Sequence, residues 1–112
     1  MLPPLSSDIE RYMDLLSARQ RVAASNIANS GTPGYKTRDI DFQSEFHSAI
    51  QGGDPAIVEV PGMKARNDGN NVNLDRESRM LVETAIRFNA ASTLWKQQAR
   101  MVRMAIDESR NG

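Results

Sequence analysis

The chain has 112 residues, of which 39% are hydrophobic and 5% aromatic, with a mean hydropathy of −0.53, so it holds at most one domain of ordinary size and has limited means to build a core by itself. Its 14 basic and 14 acidic residues cancel, which removes the bulk attraction that a nucleic-acid binder uses and points to partners recognised by packing. There is no cysteine, which excludes disulfides and thiolate metal sites, and neither a cleavable leader nor an apolar run of roughly 18–20 residues is visible.

The first predicted element is a helix from about Asp8 to Asn29, opened by Ser7 or Asp8 as cap and by Glu10 at the positive end of the dipole. Its apolar positions, Ile9, Tyr12, Met13, Leu16, Ala23 and Ile27, fall at helical spacing, and Leu15 and Val22 widen the stripe. Arg19, Gln20 and Arg21 interrupt it. The helix then runs into Asn26, Ile27, Ala28, Asn29, Ser30, Gly31, Thr32, Pro33, Gly34 and Tyr35. In this stretch Gly31 suits a left-handed helix end, and Pro33 followed by Gly34 suits the centre of a type II turn. Nothing here is a nucleophile, an acid or a metal ligand; it is a device that stops a helix and redirects the chain at a fixed angle.

Residues 36–73 form a loop-rich linker containing Gly52, Gly53, Pro55, Pro61, Gly62 and Gly69. Within it Phe42, Phe46 and Ile50 recur at helical spacing, and the run Ala56–Val60 reads as a strand. Met63–Arg66 is its expected partner in a short β-hairpin across Pro61 and Gly62. The last element, residues 74–112, is a helix starting near Asp75 whose Leu74, Ser78, Leu81, Ala85, Phe88, Ser92, Trp95, Ala99, Val102 and Ile106 follow an unbroken four-three alternation. That is a heptad seam, broadened by Ala91, Leu94, Met101 and Ala105. The expected fold is mainly α, with residues 1–35 and 74–112 pairing as an antiparallel, coiled-coil-like hairpin around the linker. The second helix is longer than the first, so a single pair leaves apolar surface uncovered. Such a chain is a poor monomer and a good assembly subunit.

The ungapped stretch from Asn26 to Tyr35 resembles the signature that ends the first helix of the bacterial flagellar rod and hook proteins. The short middle, the segment Asp68–Glu77, the run Arg87, Phe88, Asn89, Ala90 and the closing Arg103, Met104, Ala105, Ile106 resemble the small proximal-rod members of that family. Phe88 stands where those members carry a tyrosine, which removes one hydroxyl from the seam. The resemblance implies a structural subunit that leaves the cytoplasm by type III export without a cleaved signal and stacks helically into the periplasmic rod that transmits torque. It implies partners of three kinds: copies of itself, the next rod protein (FlgC type) and the basal adaptor (FliE type). The implied assembly positions are Asn26, Ile27, Ala28, Asn29, Gly31, Thr32, Pro33, Gly34 and Tyr35, together with the seam Leu81, Ala85, Phe88, Ser92, Trp95, Ala99, Val102 and Ile106. A cytoplasmic coiled-coil adaptor or regulator that carries the turn is the alternative.

Other chemistries find little support. Asp68, Asn70 and Asp75 suggest a calcium loop, but Asn73 stands where the turn glycine belongs and Arg79 where the bidentate Glu belongs. His47, near Asp39, Asp41 and Glu45, lacks the further groups that a base or metal ligand needs and reads as a solvated linker residue. Lys96, Arg100 and Arg103 make a basic line that Asp107 and Glu108 interrupt, a mixed-charge outer face. No enzyme activity, cofactor, metal, nucleic acid or small-molecule substrate is expected. Asn26 and Asn29 serve either their own helix end or a neighbouring subunit, and Tyr35 reads as a lid on the turn or an intersubunit anchor.

Overall fold

The computed structural model describes residues 4–47 and 55–111. The elements run α1 (Pro4–Ala28), β1 (Arg38–Ile40), α2 (Phe42–His47), β2 (Ile57–Glu59) and α3 (Leu74–Asn111). The molecule measures 71 × 25 × 18 Å, with a radius of gyration of 18.5 Å; a globule of this length would have roughly 13 Å. Its length is set by α3, whose 38 residues span about 57 Å.

The two terminal helices pair antiparallel, as the patterning predicts. Near the start of α1, Glu10 accepts a hydrogen bond from the Trp95 indole at 3.2 Å. Just past the helix's end, the Asn29 and Thr32 carbonyls accept from Asn70, which lies four residues before α3. α1 starts at Pro4, earlier than expected, so Ser7 and Asp8 lie inside the helix and cap nothing. Proline favours a first turn because its φ is pre-set and its missing N–H is not needed there. α3 starts one residue early, at Leu74, because Asn73 caps it: its Oδ1 accepts from the Arg76 amide at 3.1 Å.

The contact line on α3 differs from the expected seam by one residue at alternate positions. The most buried side of the helix carries Glu77, Thr84 and Ala91, 0%, 2% and 7% exposed. Leu81, Phe88, Trp95 and Val102 flank this line and are half-buried; Ala85, Ser92 and Ala99 are also half-buried, and Ile106 is exposed. Two of these three most buried positions are polar, and a hydrophobic pattern passes over them.

α1 is the middle layer. Ile9 lies beside Ala91 and Leu94 of α3, Ala18 and Val22 pack on Ile40 of β1, and Leu15 and Leu16 are the largest fully buried apolar side chains. The Phe42 and Phe46 rings of α2 meet the Tyr12 ring edge-on at 5.4 and 6.0 Å. Ile50, the third residue of that predicted helix, lies outside the described residues, as do Gly52 and Gly53.

The predicted strand at Ala56–Val60 is present as β2, but its partner is not Met63–Arg66. β2 pairs antiparallel with β1, setting Arg38 opposite Glu59 and Ile40 opposite Ile57. The local hairpin loses because residue 66 is engaged elsewhere: its amide bonds the Asn70 carbonyl at 2.8 Å, and its guanidinium reaches the Ser30 and Val72 carbonyls. Pro61 and Gly62 still make a turn, with Gly62 at φ 76°, but it leads out of the ribbon.

Leu16→Ala should lower the unfolding free energy by about 2–4 kcal/mol, the usual cost of a buried leucine truncation. Met101→Ala, at a site 65% exposed, should change it by less than about 0.5 kcal/mol. Urea denaturation followed by circular dichroism measures both.

Candidate assembly site: a polar clasp at the closed end of the hairpin

Among the described residues nine hydrophobic side chains are buried against seven polar or charged ones, so polar contacts position the elements as much as the core does. Six of the seven (Asn26, Thr37, Asp39, Asn70, Asn71 and Glu77) gather where α1 ends and α3 begins. Asn26, fully buried, is the central one. Its Nδ2 donates to the Arg38 carbonyl at 2.8 Å and its Oδ1 accepts from the Arg38 amide at 3.1 Å. A single side chain thus supplies the paired bonds that an antiparallel strand would make. The same Oδ1 accepts from the Tyr35 hydroxyl at 2.9 Å, which closes Tyr35 over the helix end as a lid.

The chain turns in two steps. Asn29 bonds back to the Ser25 carbonyl at 2.9 Å and accepts from the Thr32 hydroxyl at 3.0 Å, finishing the helix without help from Gly31, which has no positive φ. Expected as the left-handed residue, Gly31 is displaced from that role because the side chain of Asn29 satisfies the last turn. The Tyr35 amide then bonds the Thr32 carbonyl at 3.2 Å across Pro33 and Gly34, with Gly34 at φ 76°, the positive value a type II turn requires at that position.

Against this turn lies the loop that precedes α3. The Gly34 amide donates to the Asp68 carbonyl at 2.8 Å, and a Cβ on Gly69 would stand 3.4 Å from the Gly34 Cα. Fully buried Asn70 donates from Nδ2 to the Asn29 and Thr32 carbonyls at 2.9 and 2.8 Å while its Oδ1 accepts from the Val72 amide at 2.8 Å. Asn71 accepts from the Thr37 amide at 2.5 Å, and Lys36 reaches the Gly69 carbonyl.

An ionic chain completes the clasp. The Asp39 carboxylate takes both Arg19 Nε and Nη2 at 3.0 Å and Arg76 Nη2 at 3.1 Å, joining α1, β1 and α3. Burial alone would push the Asp39 carboxyl up; the bonds from Arg19 and the Ile40 amide, and the charges of Arg19 and Arg76, outweigh it and hold Asp39 below its ordinary 3.8. Buried Glu77 accepts from the Thr37 hydroxyl at 2.7 Å and from Arg76 Nη1 at 2.9 Å on one oxygen, while its other oxygen has no hydrogen-bond partner among the described residues.

Of the residues singled out by sequence, Asn26, Asn29, Thr32, Gly34 and Tyr35 meet in this clasp, with Ile27, Ala28 and Pro33 as its frame. The seam residues Leu81 to Ile106 lie along α3, away from it. Arg19, Asp39, Arg66, Asn70, Asn71, Arg76 and Glu77 were not marked as part of one site. The asparagine-rich run beside Asp68 and Gly69 was the available signal, and it reads as a turn until its partner is known. Among the described residues no group of three or more His, Cys, Asp or Glu side chains could hold a metal, and no helix is long and apolar enough to cross a membrane.

A profile of the family described as "Flagella basal body rod protein" matches residues 13–36, the end of α1 and the turn. The flagellar basal body rod protein FlgB of Escherichia coli is 31% identical over 104 residues, covering 70% of this chain and 75% of that protein. The chain belongs to the FlgB family of flagellar basal body rod proteins. The FlgB of Borrelia hermsii is 28% identical over 122 residues, covering 86% and 90% of the two chains, and that of Salmonella typhimurium 29% over 117 residues, covering 81% and 84%. The family match therefore falls on the segment that carries the α1 side of the clasp.

Two measurements probe the FlgB-family clasp. Gly34→Ala should destabilise by about 1–2 kcal/mol through backbone strain alone, since no atom lies within 4 Å of the new Cβ. Gly69→Ala should cost a similar amount, because Gly69 also has a positive φ, 85°, and its Cβ would meet the Gly34 Cα at an ordinary contact distance of 3.4 Å. For Asp39, whose folded value is depressed, the stabilisation is fully present above its ordinary value and is lost as pH falls through the folded one. Urea midpoints taken between about pH 5 and pH 2 should fall less steeply with acid in Asp39→Asn than in the parent chain. At neutral pH that variant should be about 2–3 kcal/mol less stable.

Proposed function

We propose that this chain is a non-catalytic structural subunit of the proximal part of the flagellar basal-body rod, exported through the type III route and assembled helically in the periplasm, where it transmits torque. Its partners are copies of itself, a FlgC-type rod protein and a FliE-type basal adaptor. The observation that carries this reading is the apolar surface that α3 leaves open on the side turned away from α1. Val82, Ile86, Met101 and Met104 are 61%, 64%, 65% and 56% exposed. A helix that is apolar on two sides, only one of which is covered within the chain, calls for neighbouring subunits.

The seam adds to this. Trp95 meets Glu10, which leaves the rest of α3 facing only the first turns of α1; beyond those, α3 overhangs by about ten residues, roughly 15 Å. In this reading Ala99, Val102 and Ile106 of the seam are covered between subunits, and the Asn26–Tyr35 clasp fixes the angle at which α1 and α3 are presented.

Cross-linking mass spectrometry on purified hook-basal bodies tests the reading. Links from Lys64 or Lys96 to other rod proteins or to the basal adaptor support it; a chain confined to the cytosol and missing from well-covered basal bodies overturns it. As a variant, Ile86→Asp should leave the stability of the isolated chain within about 0.5 kcal/mol while removing the protein from basal bodies. Recovery of this variant at normal levels would exclude the open face of α3 from assembly.

A further inference from the structure

On the side of α1 away from α3 runs a second groove, of about 640 Å3. Ala18 and Val22 of α1 and Ile40 and Ile57 of the β-ribbon line it, and Arg21 and Arg38 stand at its edge. Both arginines are exposed, and neither forms an ion pair among the described residues. Ile57 is 54% exposed although its neighbours Ile40 and Val22 are buried, so one wall of an otherwise finished core is left bare.

The end of α3 carries the complement. Met104 is 56% exposed, and Asp107 and Glu108, three and four residues on and so on the same face of the helix, have no ion pair among the described residues. Anions close to a helix C-terminus oppose the macrodipole, so this placement is unfavourable in the isolated chain and is relieved by external cations. The tip cannot enter its own groove: α3 runs unbroken to Asn111 and carries the tip to the end of a 71 Å molecule opposite the half of α1 that lines the groove.

We infer that the tip of α3, Met104 to Glu108, seats in the groove between α1 and the β-ribbon of a second copy, with Asp107 and Glu108 against Arg21 and Arg38. Met104, which shares one face of the helix with Asp107 and Glu108 at spacings of three and four, meets the apolar wall of the groove, and the two carboxylates lie against Arg21 and against Arg38, whose guanidinium otherwise rests 5.9 Å from the centre of the Tyr35 ring. Such a contact is heterologous, joining one end of a subunit to the other end of the next, and therefore builds an open array instead of a closed dimer. The inference rests on the proposed rod assembly and assigns one interface within it.

A charge-swap in the full chain, expressed in a strain of the source bacterium lacking its own copy, tests the pairing. Arg21→Glu with Arg38→Glu, and separately Asp107→Lys with Glu108→Lys, should each reduce swarm diameter at least several-fold, and the four substitutions together should restore at least half of it. Normal swarming in either double variant, or no recovery in the combined one, overturns the pairing. Because the chain has no cysteine, Arg38→Cys with Asp107→Cys provides a second readout that does not depend on the charge variants. Oxidation of isolated basal bodies should give a ladder of dimers and higher multiples of this chain, whereas Arg79→Cys with Asp107→Cys should give none. A ladder absent from basal bodies that contain the protein, or a bond to a different rod protein, overturns the second-copy assignment and leaves the rod reading intact. Absence of the unaltered chain from basal bodies defeats the rod reading itself.

Discussion

Everything at the closed end of this molecule depends on one amide. The Asn26 side chain pairs with both main-chain groups of Arg38 and holds the Tyr35 hydroxyl, so the path of the chain after the turn is referred back to α1 through a buried group with both acceptor sites used. Aspartate would lose the donor to the Arg38 carbonyl, and leucine would leave two main-chain groups and a phenol unsatisfied. From that anchor the order of construction follows. β1 is held at a set angle, β2 pairs along it, and Thr37 is brought over Glu77 at the root of α3.

The arrangement shifts specificity from packing to polar contacts. An α1–α3 pair built on aliphatic knobs alone could slide by a heptad at small cost, because the apolar stripes repeat. Here Glu77 and Thr84 lie on the most buried line of α3, and Glu77 has its hydrogen-bonding donors only when Thr37 and Arg76 are in place. Asp39 bridging Arg19 and Arg76 ties the same register to α1. Buried ionic groups contribute little net stability, and in this chain they join α1, β1 and α3 at fixed positions along each element.

How much of this the sequence discloses depends on distance along the chain. The turn at Pro33–Gly34, the stop near Asn29, the two long helices and the strand around Val58 rest on local rules, and each is where those rules put it, with ends shifted by a cap or a proline. The β-ribbon partner was misread because nearness favoured Met63–Arg66, while the β1–β2 pair spans the linker and is decided by contacts of Ile40 and Arg66 that no local rule contains. Arg19 read as an interruption of an apolar stripe; its ring partner Phe42 and its ion partner Asp39 lie more than a dozen residues on. Half of the clasp was legible as a motif, and the other half, Asn70 and Asn71, was not, since asparagine beside glycine ordinarily marks a turn and nothing more.

The uneven placement of polar contacts has a mechanical consequence. Bonds between the two arms concentrate at one end, where several are loaded side by side, while the far arm of α3 continues past its partner with Trp95–Glu10 as its last polar tie among the described residues. A body fastened this way behaves as a cantilever, stiff at the root and compliant toward the tip. Amide hydrogen exchange along α3 would slow toward Glu77 and quicken beyond Trp95, and bending strain applied to the tip would reach the root as a moment shared across the clasp, with no single contact bearing it alone.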